Sequence, residues 1–426
     1  MGRQQYVTKL DYLAGIVLSV FFLLAPHRAG SAIGAILFLI VFCVASFFGA
    51  KKKLLHQKEK FYIAALFGFF FSAVLSYIFG KGWEFESSRH AGWPSLFDLD
   101  LASKYLIMSL VTYYFWKIPF RFCANFVFIL MAISACLCGM IGIFQRFVLG
   151  IDRVHAWSGI IEFADICGIF SVMLLAIFAM NTGKIKILYF LGILLSFLAC
   201  LLSGTRGSIL SAVVGAIFVV FLVFFYQRKY SKQALFGLLA FGISFLFIIG
   251  LKGQADYKRV ALVNSDLKEY QQGEVHTSIG LRFEMWKEAV AMWKMAPIFG
   301  LSTAEIKAKS LEIKEKSKSR IERENVYTDW IGRKHNQFLT TLAKKGIVGL
   351  VALFCVWAGM VALVLPFVRN ENPLLASCSI AVLGMLCFSI LPNSLIGDIW
   401  DTNVSVFSLL LLFAIFFKLI KQKEMV

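Results

Sequence analysis

Charge is scarce in this sequence. Of 426 residues only 16% are Asp, Glu, Lys or Arg, where a soluble domain carries roughly a quarter. Hydrophobic residues make up 59% instead, and the mean hydropathy is +0.76. A soluble fold of this length has no way to cover so much apolar surface with so little charge. Lipid is the expected solvent.

Acidic residues are scarcer still, 25 against 43 basic ones, for a net charge of +18. That excess raises the question of nucleic acid. The basic residues, however, fall in clusters between apolar runs, and no nucleic-acid-binding motif accompanies them. Membrane topology and anionic lipid surfaces select that distribution, so the sequence points to membrane lipids and away from nucleic acid as a partner.

The long polar loop lacks cysteine. Cys43, Cys123, Cys136, Cys138, Cys167, Cys200, Cys355, Cys378 and Cys387 all lie within apolar runs. No disulfide framework is expected. No Asp-rich or His-rich spacing demands a metal, and no cofactor is expected. No internal repeat is evident. The first apolar run lacks a small-residue cleavage site, so it reads as a retained helix rather than a signal peptide.

What the sequence does have is apolar runs of membrane length. About 20 apolar residues cross the hydrocarbon core. Candidate spans are 10–25, 31–50, 61–80, 101–116, 120–147, 160–181, 186–203, 207–226, 233–251, 346–367, 374–392 and 403–419. The expected fold is an all-α integral membrane protein with about 12 transmembrane helices. Residues 1–251 hold helices 1–9, residues 252–345 form a large loop with helices of its own, and residues 346–426 hold helices 10–12 and a basic tail.

Basic clusters orient the chain. Lys51, Lys52, Lys53, Lys58, Lys60, Lys117, Arg121, Lys184, Lys186, Arg228, Lys229, Lys232, Lys418, Lys421 and Lys423 fall on one side. The positive-inside rule makes that side cytoplasmic, with both termini, and puts the large loop outside. Within the loop, Met285, Trp286, Val290 and Trp293 recur at helical spacing, and the pattern stops at Pro297 and Gly300. Residues 302–325 are mixed-charge and read as helical or mobile. His335–Lys345 reads as an amphipathic helix on the membrane surface, with Phe338, Leu339 and Leu342 on one side and the next span entering at Gly346.

Three residues on the outer side stand out. Arg206 lies in Ser203-Gly204-Thr205-Arg206-Gly207-Ser208, held near the bilayer edge by apolar sequence on both sides. A charge there is expensive unless paired, and a guanidinium suits phosphate oxygens. The plain alternative is an interfacial arginine facing a lipid headgroup or an acid. Arg282 opens the Trp-bearing loop helix near Glu284 and Glu288, where an ordinary surface arginine is the default. His335, flanked by Asn336 and Gln337, is of the type most used as a general base near neutral pH. Glu162 and Asp165 share a helix face at spacing i, i+3, and Asp398 and Asp401 precede the last span. These acids read first as counter-charges to the arginines.

These residues resemble a known family. His335-Asn336, followed after nine residues by Gly346-Ile347-Val348-Gly349, is similar to the histidine signature of the bacterial O-antigen ligases. Arg206-Gly207-Ser208-Ile209-Leu210 resembles their arginine motif, and Arg282 with Trp286 resembles the conserved loop segment of the ligase and polymerase superfamily. An Asn-Pro-Asn-type segment found before span six in some members is replaced here by His155 to Asp165.

The resemblance implies a GT-C-like glycosyltransferase of the bacterial inner membrane, with its site facing the periplasm. It would transfer a glycan from undecaprenyl diphosphate to a sugar of lipid A-core in lipopolysaccharide biosynthesis, without a metal and with inversion. His335 would be the base and Arg206 and Arg282 would bind the diphosphate, with Asn336, Trp286, Glu162 and Asp165 in support. The nearest alternative is an O-antigen polymerase using the same donor. A transporter is disfavoured because the candidate residues cluster at one edge rather than at the midplane.

Overall fold

The computed structural model describes residues 9–27, 29–47, 54–79, 94–118, 120–250, 268–272, 277–303, 305–306 and 334–424. Every candidate span coincides with a helix. In chain order these are α1 (Lys9–Leu24), α2 (Gly30–Phe47), α3 (Gln57–Phe79), α4 (Pro94–Lys117), α5 (Ala124–Phe147), α6 (Ile160–Met180), α7 (Lys186–Leu202), α8 (Arg206–Tyr226) and α9 (Ser231–Gly250). After the loop helix α10 (Ser278–Met295) come α11 (Gln337–Val364), α12 (Pro373–Ile390), the short α13 (Pro392–Ile396) and α14 (Asn403–Glu424). No β-strand occurs among the described residues. Only helices keep every backbone N–H and C=O satisfied within a chain segment in hydrocarbon, so long apolar runs have one solution.

Eight helical segments among the described residues are long and apolar enough to cross a membrane, and three shorter ones, in α1, α2 and α7, are also apolar. The chain is a multi-pass membrane protein. α6 is the central post, buried from Phe163 to Met180. It packs on α7, α8 and α12, while α5 packs on α7 and α3 packs on α11. Small residues make the close approaches. A side chain at Gly139 would strike the α7 backbone at Leu195, and one at Gly384 would strike Val219 and Val172. Without a hydrophobic drive between helices in lipid, such contacts are what hold a bundle together.

The bundle has two chemically distinct ends. At one end, Lys421 pairs with Glu59 at 2.7 Å and Lys418 donates to the carbonyls of Phe115 and Ile118 at 3.0 and 2.7 Å. Asp11 accepts from the Arg121 N–H at 2.7 Å there, so the first and last helices share that end. At the other end meet the N-termini of α6, α8 and α11, the helix α13, and the turn Ile399–Asp401. The candidate residues lie at this second end.

α11 is interrupted. Gly346 has φ +60° and ψ −161°, which breaks the helix between a first segment and the long apolar one. The turn after α10 fills the break. Ile347 N–H donates to Pro297 O at 2.9 Å, Val348 N–H to Ile298 O at 3.2 Å, and Leu301 N–H to Ala343 O at 2.8 Å. Gly300, at φ +74°, lies against the backbone of Lys344 and Lys345. Both glycines therefore meet two demands at once: a left-handed backbone and room for another chain segment. The loop helix is thereby locked to the segment that begins just after His335.

Candidate functional site

His335 sits in a backbone conformation that few side chains adopt, with φ +49°. Such a position costs on the order of 1–3 kcal/mol and persists only where surroundings over-determine it. Here they do. The His335 N–H donates to Asp398 Oδ2 at 2.8 Å. Lys334 N–H donates to Thr340 Oγ1 at 3.2 Å, and Thr340 Oγ1 in turn donates to Asp398 Oδ1 at 2.6 Å. Lys334 O accepts from Trp286 Nε1 at 3.0 Å. Asn336 caps α11, accepting from Leu339 N–H at 3.0 Å, and its amide donates to Leu395 O at 3.0 Å. The imidazole is left largely covered, with Nδ1 4.0 Å from Asp398 Oδ2.

Arg282 reaches the same place from α10. Burial disfavours its charged form; the negative charge of Asp398 counteracts this, and the positive charge of Arg206 adds to the cost. Arg282 therefore stands within electrostatic reach of both Asp398 and Arg206. Arg206 opens α8 directly after the left-handed Gly204 and Thr205, and it is half-buried. Two neighbouring arginines, one of them facing Asp398, bring positive charge together in a partly covered site. That arrangement suits an anion with several oxygens.

Behind this group runs a second layer of charge. Burial lowers the Lys334 ammonium, opposed by Glu288, with which it pairs at 2.6 Å. Asp401 faces Lys344 at 3.1 Å and Lys345 at 3.6 Å. Burial alone would raise its carboxyl; Lys344, Lys345 and Lys104 overcome that and hold it well below the usual carboxylate range.

The structure thus brings together His335, Asn336, Arg206, Arg282 and Trp286. It gives Asp165 partners other than the arginines of the counter-charge reading. Asp165 is fully buried and accepts from Ser208 Oγ at 2.6 Å and Asn393 Nδ2 at 2.6 Å. It ties the first turn of the Arg206 helix to α13. Glu162 lies at the start of α6, where Gly159 leaves space for its carboxylate.

The segment from Gln337 to Lys345 also differs from a surface helix. Its polar residues Gln337, Thr340, Thr341, Lys344 and Lys345 are buried inside the protein. Amphipathic spacing identifies two faces but not which one meets protein. Residues 307–333, with the mixed-charge stretch and the basic residues from Lys307 to Arg323, lie outside the described residues, as do His90 and His276. All nine cysteines are free. Among the described residues, no three His, Cys, Asp or Glu side chains group in a way that would hold a metal ion.

Sequence reasoning missed two features of the site. Asp398 holds the His335 loop besides facing Arg282, where the sequence read it first as a counter-charge. Lys334 and Thr340 complete that grip. A signal existed for Asp398, an acid on the outer side just before the last span, but its pairing across 63 residues has no local signature.

Comparison with known proteins adds to this geometry. An uncharacterized protein of Haemophilus influenzae is 26% identical over 383 residues, covering 85% of this chain and 86% of that protein. Residues 191–354, from α7 to the middle of α11, match the family model described as O-Antigen ligase. That stretch contains Arg206, Arg282 and His335.

Proposed function

We propose that this protein is an O-antigen ligase, transferring a glycan from undecaprenyl diphosphate to a sugar of lipid A-core. The observation that carries the reading is the convergence of Arg206, Arg282 and the Asp398-held His335 at one end of the bundle. In the transfer, an acceptor hydroxyl oxygen bonds to the anomeric carbon while the bond from that carbon to the diphosphate oxygen breaks. The electron pair leaves with the diphosphate. Arg206 and Arg282 stabilise that developing charge with planar, fork-like donors in a water-poor site. The hydroxyl proton passes to His335. Nδ1 lies 4.0 Å from Asp398 Oδ2, so the proton goes to Nε2. Attack opposite the diphosphate inverts the anomeric centre.

Both substrates are lipid-linked, which explains a site at a bundle end. The basic clusters of Arg121, Lys418 and Lys421 lie at the opposite end, and the positive-inside rule makes that end cytoplasmic. The site then faces the periplasm of a Gram-negative inner membrane, with both termini in the cytoplasm. The donor's polyprenyl chain lies among apolar helices while its diphosphate meets Arg206.

Purified protein incubated with lipid-linked donor and lipid A-core tests this. A single transfer to the core supports the ligase. Growth of glycan on the carrier instead makes the protein a polymerase. Absence of both, with substrate flux in proteoliposomes, makes it a transporter.

A further inference from the structure

α10 carries a second surface that the diphosphate site does not use. Phe283, Trp286, Lys287 and Val290 recur at i, i+3, i+4 and i+7, so they form one stripe along the helix. Met285, Ala289 and Met292 take the buried stripe beside it. Tyr270, from the short segment before α10, closes over the first stripe. Its ring centroid is 5.1 Å from that of Phe283, and Phe283 meets Trp286 edge-on at 5.5 Å. These five residues line a cavity of about 630 Å³ whose walls are almost entirely carbon.

The rim of the cavity is polar but electrically balanced. Tyr270 OH donates to Glu284 Oε1 at 2.7 Å, and Lys287 Nζ donates to both, at 2.8 Å to Tyr270 and 2.7 Å to Glu284. The ammonium that borders the cavity is thus already matched by a carboxylate. Phosphate, which the two arginines attract, gains little here. A polyprenyl chain is also a poor match, because α10 is not among the helices apolar enough to enter a membrane. Aromatic faces with a neutral hydrogen-bonding rim suit a pyranose ring. Its axial C–H bonds pack on the electron-rich faces, and its equatorial hydroxyls reach the rim.

The cavity is joined to the candidate site through one residue. Trp286 forms its wall with its ring and holds Lys334 O, next to His335, with its Nε1 at 3.0 Å. A glycan in the cavity therefore adjoins the residue that, on the reading above, takes the proton of the acceptor hydroxyl. We infer that Tyr270, Phe283 and Trp286 form a stacking platform for sugar rings of the acceptor glycan. The inference rests on the ligase reading for the word acceptor, and on the cavity alone for the word glycan.

The test uses the full chain in detergent and, as probe, core oligosaccharide released from lipopolysaccharide by deacylation. Binding is followed by saturation-transfer NMR. The wild type binds; Tyr270→Ala and Phe283→Ala each weaken binding roughly tenfold, equivalent to one well-placed aromatic contact. Phe283→Tyr, which keeps the ring, binds like the wild type. In transfer assays the alanine variants raise KM for lipid A-core, with KM for the lipid-linked donor and kcat unchanged.

No binding of the probe to the wild type overturns the inference, as does equal binding by the alanine variants. A shift confined to the donor KM overturns the acceptor assignment, and loss of undecaprenyl phosphate binding in those variants overturns the choice of glycan over lipid. If the probe binds the platform but the protein transfers nothing to lipid A-core, the platform stands and the ligase reading fails.

Discussion

Asp398 holds His335 by its backbone before it holds it by its ring. The His335 N–H donates to Oδ2 at 2.8 Å, while Nδ1 of the ring is 4.0 Å from that oxygen. The other carboxylate oxygen accepts from Thr340 at 2.6 Å. One acid thus fixes a strained loop and stands ready to orient the imidazole. His335→Ala should lower transfer on the order of 10²–10⁴-fold, the range of a general base. Asp398→Asn keeps the shape and removes the charge, so it should lower kcat by roughly 10²-fold. Transfer by Asp398→Asn at the wild-type rate would show that the carboxylate serves only the loop.

The two arginines are not interchangeable with lysine. Arg282 bears the cost of its burial and of its proximity to Arg206, and Asp398 opposes it. A binding anion relieves that strain, so charge developing on the diphosphate is favoured over the unbound state. Arg206→Ala and Arg282→Ala should each reduce kcat by about 10²–10³-fold. Arg282→Lys should recover little, because an ammonium lacks the planar fork that spans two phosphate oxygens. Transfer should persist in excess chelator if the arginines carry this charge. Loss of activity in chelator, restored by a divalent cation, would move the role to a metal.

The helices were legible in the sequence because lipid imposes one demand on every span. Each apolar run had to be a helix, and each became one within a few residues at its ends. Basic clusters led to the expectation of a site on the outer side, and Arg206 and His335 stood out by their place in that topology. What the sequence did not reveal depends on pairings between distant segments. Asp165 looks like a counter-charge in its own helix, yet it accepts from Ser208 and from Asn393, 228 residues away. Lys344 and Lys345 look like the wet side of an amphipathic helix, yet Asp401 draws them inside. Periodicity tells that a helix has two faces; only the tertiary partner decides which face is buried.

The break in α11 should be more sensitive than its backbone angle alone implies. At Gly346 a Cβ would strike the carbonyl of Ile298 in addition to adopting φ +60°. At Gly150, with φ +66°, a Cβ meets open space. Gly150→Ala should therefore cost only the left-handed backbone term, about 1–2 kcal/mol. Gly346→Ala should cost more and also lower transfer, since it displaces the segment that carries His335. Melting temperatures of both variants in detergent, with transfer rates beside them, make the comparison. Equal destabilisation would mean that the turn after α10 moves aside freely and does not position the site.

Asp401 offers a separate test of the buried charge behind the site. Its carboxyl is held below the usual range by Lys344, Lys345 and Lys104 against the cost of burial. In the unfolded chain the group takes up a proton near pH 4, whereas in the folded chain it stays ionised to lower pH. Its contribution to stability is therefore fully present above that region and is lost as pH falls through the folded value. Asp401→Asn leaves buried lysines without their carboxylate, and breaking such a pair costs about 3–5 kcal/mol. The loss should appear as a lower melting temperature at pH 7 that narrows toward the wild type in acid. Adding Lys344→Met to Asp401→Asn should recover part of it, because the uncompensated charge is then smaller. A wild-type melting temperature for Asp401→Asn at pH 7 would show that these lysines find other partners, and that the turn Ile399–Asp401 is held by Tyr105 and Gln337, which bond to Trp400 at 2.6 and 3.0 Å.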